Sequence, residues 1–203
     1  MLIQDALIQD VLIQEEFYSE SGSYSYLLGM KGARGKILID PSEDCLDAYA
    51  ARLGRVGRDR VFTLETGSVT ASCQGSLAIA RRWRTRRVVP CDLLQGPDLI
   101  AVGHGDTVRL AGMTVEVVGR VGRLNEAVSY RIGNRVFVGD RQAHQEPELL
   151  MLPPETQVYR SHSDRGENRD NVMSAQGVLA IDVGNWSDAA RPSAQASPVS
   201  AHA

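Results

Sequence analysis

No stretch of the chain is apolar for the roughly 20 residues that a membrane-spanning helix needs, which removes a helix-spanning reading. Cysteine is scarce. Cys45, Cys73 and Cys91 are odd in number and far apart, so neither a disulfide framework nor a CxxC metal knuckle is suggested; plain reduced thiols are expected, with a reactive persulfide-accepting thiol as the alternative. Histidine numbers only four, so there is little material for an imidazole-rich metal centre. Neither sign of charge dominates: the formal net charge of -3 supplies no global pull towards nucleic acid or an anionic membrane. The opening MLIQDALIQDVLIQEE has no basic segment followed by an apolar block and does not read as a secretory signal. A soluble, cytoplasmic protein is expected.

What is there fits one ordinary globular domain. The 203 residues, 43% hydrophobic and 23% charged, can bury a single sizeable core. LIQ recurs at positions 2, 7 and 12 with a five-residue period that matches neither helix nor strand, and three copies are too few for a solenoid. Residues 1–11 are therefore expected to be an extension of the first strand or a short helix, 12–186 the domain, and 187–203, rich in Ala, Ser and Pro, a disordered tail.

Within the domain, SYSYLLGM and KILIDP flank the glycine-rich KGARG and predict a hairpin. EDCLDAYAARLG has helical spacing and ends on a capping glycine, VFTLE predicts a strand, and CQGSLAIARRW predicts a helix. VVPC and DLIAV follow as short strands. DTVRLAG, MTVEVVGR, AVSYRIG and NRVFVGD each alternate and predict a meander. TQVYRSH reads as a late strand and NRDNVMSAQ as a polar helix. Strands and helices in two similar halves suggest a four-layer αββα sandwich, two mixed sheets back to back with helices outside.

Several of these segments, in this order, resemble the metallo-β-lactamase fold superfamily, in particular its persulfide dioxygenase and glyoxalase II branch. SYSYLLG, KILIDP and VFTLET resemble its opening. GDTVRLAGMTVEVV resembles the stretch before its Pro-Gly-His-Thr turn, NRVFVGD its strand ending in Gly-Asp, and LPPETQVYRSH its late strand ending in a histidine. The resemblance runs roughly from residue 12 to residue 176 and implies the αββα architecture.

The family's first metal motif is Thr-His-x-His-x-Asp-His, in which deprotonated nitrogen and oxygen donors converge on a divalent ion. Laid on this chain by its flanks, the motif's threonine is Thr66, and its ligand positions fall on Gly67, Val69, Ala71 and Ser72. The histidine of the Pro-Gly-His-Thr turn becomes Arg123, a fixed cation where a cation would bind. Asp140 and His162 alone stand where the resemblance places ligands. No metal or other cofactor is expected. Asp140 is expected to pair with Arg123. The insert after Gly-Asp, RQAHQEPELLMLPP, is shorter than the branch's thiol-binding insert.

The leading expectation is a non-catalytic descendant that acts through surface contacts as an accessory, regulatory or assembly protein, with a protein partner or a second copy and without nucleic acid or membrane; a small-molecule substrate stays open. One alternative is a metal-independent hydrolase or sulfur-transfer enzyme with Cys73 as nucleophile and Asp140 and His162 as acid-base groups. The other is an anion or nucleic-acid binder through Arg81, Arg82, Trp83, Arg84, Arg86 and Arg87, which also read as cations favoured at a helix C-terminus. A site rebuilt from His104, His144, His162 and Asp140 needs residues distant in sequence to meet. Ser68, Thr70 and Ser72 have no neighbouring histidine and no GxSxG context to make a nucleophile.

Overall fold

The computed structural model of the protein describes residues 11–54, 56, 60–67, 73–90, 96–119, 127–139, 151–161 and 172–174. Two six-stranded sheets pack face to face. The first has strand order β1-β2-β3-β4-β5-β6, formed by Val11–Tyr18, Tyr24–Met30, Lys36–Ile39, Val61–Leu64, Arg86–Val89 and Leu99–Ala101. The second has order β12-β11-β10-β9-β8-β7, formed in chain order by β7 Thr107–Leu110, β8 Met113–Val118, β9 Ser129–Ile132, β10 Arg135–Val138, β11 Gln157–Arg160 and β12 Val172–Ser174.

The β2–β3 hairpin forms as its sequence predicts, with Tyr26 opposite Ile39 and Leu28 opposite Ile37. From β3 to β6 the strands run parallel, because each crossover carries the chain back before the next strand begins. The crossover after β3 contains a short 3-10 turn, Glu43–Cys45, and helix α1, Leu46–Leu53; the crossover after β4 contains helix α2, Cys73–Trp83. Gly54 stands at the end of α1 as expected, though with the right-handed φ of -55°, so its freedom to turn left is not used.

Strand KILI shows why the sequence folds this way. Ile37 and Ile39 point between the sheets and Leu38 points to the helices, and all three are buried, as an apolar run without alternation requires of a strand covered on both faces. Tyr26, Leu28, Leu64 and Val88 meet Val115, Val117, Tyr130, Ile132 and Phe137 of the second sheet in the central core. Leu27, Leu38 and Val61 meet Tyr49, Leu53 and Ile79 under the helices. The αββα sandwich is thus the fold, and the described residues supply its two sheets and the helical layer on the first. On the outer face of the second sheet, Val136, Val138 and Val158 are covered by Leu152. There Glu116 lies directly opposite Arg131, whose Nε donates to the carboxylate at 2.9 Å.

One expectation is corrected. The segment NRDNVMSAQ contains a strand, not a helix, across Val172–Ser174, because Val172 to Ser174 pair antiparallel with Tyr159 to Gln157 and the open edge of β11 outweighs the polar local pattern. Residues 1–10 and 187–203 lie outside the described residues. No helix among the described residues is long and apolar enough to cross a membrane.

Candidate functional site

The parallel strands β3, β4 and β5 finish at one end of the sandwich, and β10 and β11 of the other sheet finish there too, where the ends of β3, β4 and β11 deliver polar side chains to one place. In an α/β sheet this carboxyl end is where chemistry usually sits. Asp40 follows β3, Glu65, Thr66 and Gly67 follow β4, Gly139 follows β10 and Ser161 follows β11.

These groups are bonded to one another. Asp40 accepts from the Thr66 backbone N–H at 2.7 Å, from the Thr66 hydroxyl at 2.6 Å and from the Ser161 hydroxyl. The Ser161 N–H donates to the Val138 carbonyl at 3.0 Å, and its own carbonyl accepts from Tyr24 at 2.6 Å, so one carboxylate ties the two sheets together. Asp40 has a φ of 45°, a left-handed conformation that a non-glycine residue holds only when its surroundings impose it. Asp40 as a residue is half-buried, while its carboxyl group is enclosed by protein. Desolvation raises its pKa from 3.8 to about 6; the bonds from Ser161 and Thr66 oppose the shift and the Glu65 charge adds to it.

Glu65 is fully buried and carries a second knot. The Arg87 guanidinium reaches its carboxylate through Nη2 at 2.8 Å and Nε at 3.1 Å, and the Ser76 hydroxyl of α2 donates to the same oxygen. Tyr130, from β9, donates its hydroxyl to the Glu65 carbonyl at 2.9 Å. Burial first, and then the charges of Asp40 and Glu65, hold the Tyr130 pKa well above the ordinary tyrosine value. Gly139 must be glycine here, since a Cβ would stand 2.5 Å from the Thr66 hydroxyl.

Among the described residues at this end, the polar donors are bonded to one another and do not converge as the ligands of a divalent metal would. Thr66 sits where the motif's threonine is expected, but its hydroxyl is committed to Asp40, and Gly67 after it has no side chain to offer. Val69, Ala71, Ser72, Arg123, Asp140 and His162 lie outside the described residues, as do His144 and the expected Asp140–Arg123 pair. Cys73 begins α2. Among the described residues no three His, Cys, Asp or Glu side chains group as a metal site would. His104 is exposed on its loop and accepts from the Gly119 N–H at 3.1 Å, so it is not drawn towards the strand ends.

The arginine-rich stretch is split by its secondary structure. Arg81 and Arg82 are exposed in the last turn of α2, and Arg82 pairs with Asp47 at 3.2 Å while lying over the Trp83 ring at 4.8 Å. Arg84 leaves the helix with a φ of 53° and Arg86 opens β5 towards solvent. Arg87 does not join them. Alternation along β5 turns it inward to Glu65, where it cannot meet an outside anion.

Sequence reasoning missed Asp40, Glu65, Ser76, Tyr130 and Ser161, and took Arg87 for a surface cation. The signal was a carboxylate placed directly after an apolar strand, in KILI-Asp40 and VFTL-Glu65, because such a charge must either face a ligand or find a partner inside.

Fold and strand-end geometry define a class: the chain adopts the metallo-β-lactamase fold. Among solved structures it is similar to ETHE1 from Myxococcus xanthus, at 24% identity over 81% of this chain and 80% of that one with a TM-score of 0.65. It is similar also to a metallo-β-lactamase from Staphylococcus aureus, at 17% identity over 91% and 67% with a TM-score of 0.67. A third likeness is to the B3 metallo-β-lactamase BLEG-1, at 14% identity over 82% and 96% with a TM-score of 0.60. No family model and no curated protein matches the chain.

Proposed function

We propose that the chain is a non-catalytic protein of the metallo-β-lactamase fold, resembling the persulfide dioxygenase and glyoxalase II branch, that works in the cytoplasm through surface contacts as an accessory, regulatory or assembly protein. The observation that carries this reading is Thr66. It stands where the resemblance places the first residue of the metal motif, yet its N–H and hydroxyl both close onto Asp40, and the next residue is the side-chain-free Gly67. A strand end that points donors at a metal leaves them free to converge outward. The described polar groups here, Asp40, Glu65 and Thr66, are bonded within the protein, which supports the reading.

The reading is supported further by the chemistry of the aligned positions, which retain at most the carboxylate of Asp140 and the imidazole of His162. A two-donor remnant is weaker than either the two-histidine-one-carboxylate iron site or a zinc site requires. The test is turnover: protein from iron- and zinc-supplemented cultures should hydrolyse thioesters and oxidise glutathione persulfide no faster than buffer. Turnover that a chelator abolishes would overturn the proposal.

A further inference from the structure

The opposite end of the first sheet, where the parallel strands begin, is built differently. Lys36 opens β3 and pairs with Val61, so Arg60 lies just before β4 beside it; Arg86 opens β5 and pairs with Phe62. Arg34 precedes Lys36 in the β2–β3 turn, and a Cβ on the intervening Gly35 would lie 2.7 Å from the Ala111 Cβ and 3.3 Å from the Arg60 carbonyl, so the turn packs closely against Ala111 with Arg60 beside it. Arg84 precedes Arg86. Adjacent strands lie about 4.8 Å apart, so these cations form a row along the sheet's edge.

Among the described residues no carboxylate pairs with the row. Among the described residues the ion pairs engage Arg52, Arg82, Arg87 and Arg131, and none engages Arg34, Lys36, Arg60, Arg84 or Arg86. The four arginines are exposed, and the exposed Asp98, just before β6, ends the row without pairing to it. Lys36 is partly desolvated, which lowers its pKa and which an anion seated beside it would offset. In a chain of net charge -3 this is a local, segregated surface.

We infer that this strand-start edge, through Arg34, Arg60, Arg84 and Arg86 with Lys36, docks an extended acidic segment of a protein partner. The inference rests on the proposed accessory function and names the chemistry of its contact. An extended peptide presents alternate side chains about 6.8 Å apart on one side, a spacing that long arginines on neighbouring strands can follow, and each guanidinium can hold a carboxylate through two N–H groups. Single-stranded nucleic acid would need exposed rings for its bases. The exposed aromatic among the described residues, Tyr18, is at the far end of β1, and Trp83 is half-buried against the helix core. The edge also lacks the exposed aromatic that would seat it at a lipid interface.

The test uses the full chain and a fluorescein-labelled peptide alternating glutamate with serine, read by anisotropy. Binding should weaken as salt rises from about 50 mM to about 200 mM. Arg34→Gln/Arg60→Gln/Arg86→Gln should weaken it roughly tenfold, whereas Arg52→Gln/Arg82→Gln/Arg131→Gln, which removes the same charge elsewhere, should not. Equal weakening by both triple variants would overturn the inference. Tighter binding of labelled oligothymidine or of phosphatidylserine vesicles through the same three arginines would overturn it as well. Thermal unfolding of each variant separates lost binding from lost structure. Because turnover tests the proposed function, peptide binding can fail with turnover absent, which sinks the inference alone, or persist with turnover present, which sinks the functional reading alone.

Discussion

The two ends of the first sheet handle charge in opposite ways. At the strand ends, Asp40 is bonded to Thr66 and Ser161, and Glu65 to Arg87 and Ser76, across two sheets and a helix. At the strand starts, Arg34, Arg60, Arg84 and Arg86 are exposed and take part in none of the ion pairs among the described residues. The contrast separates polar groups bonded within the protein from cations open to a partner. Polar groups that satisfy one another stabilise the sandwich, while cations left in water keep their capacity to meet something else.

Substitutions can break that contrast. The largest effect is expected from Glu65→Ala, which strands the buried Arg87 guanidinium: urea unfolding should show a loss of about 3–5 kcal/mol. Replacing both partners, Glu65→Leu with Arg87→Met, should lose less than the single change, because no unpaired charge remains inside. Gly139→Ala comes next, since Thr66 is held to Asp40 by its N–H and its hydroxyl and cannot easily retreat from the new methyl group; about 1–3 kcal/mol is expected by the same measurement.

Asp40 gives a smaller effect with a defined pH window. Its folded-state pKa of about 6 stands above the ordinary 3.8, so the folded chain holds the proton more tightly than the unfolded chain does. That contribution is present in full below about pH 4 and is lost as pH rises through about 6. Asp40→Asn should flatten the stability profile across this window by an amount of order 1 kcal/mol, given the half-buried position of the residue. The smallest effect is predicted at the other end: Arg34→Gln/Arg60→Gln/Arg86→Gln should move the unfolding free energy by about 0.5 kcal/mol or less, because exposed unpaired cations contribute little to stability.

Much of the fold could be read from the sequence because its signals are local. The apolar run KILI, the alternating MTVEVV and the glycine-closed meander each set an element without reference to distant residues. The strand at Val172–Ser174 was not legible, since its pairing with β11 is made across the fold. The site was half legible. Missing donors at Gly67, Val69 and Ala71 are visible residue by residue, whereas the Asp40–Ser161 bond joins positions 121 residues apart and the Glu65–Arg87 pair joins different strands. Arg87 shows the limit well: in RRWRTRR it reads as one more surface cation, and only the alternation of β5 turns it inward.

Metal content decides whether the strand-end site has lost its metal, as proposed. Protein purified without a histidine tag from separate iron- and zinc-supplemented cultures would be analysed by inductively coupled plasma mass spectrometry. The account predicts metal far below one ion per chain in both preparations. Close to one ion per chain in either would contradict it and would mean that donors converge at these strand ends after all.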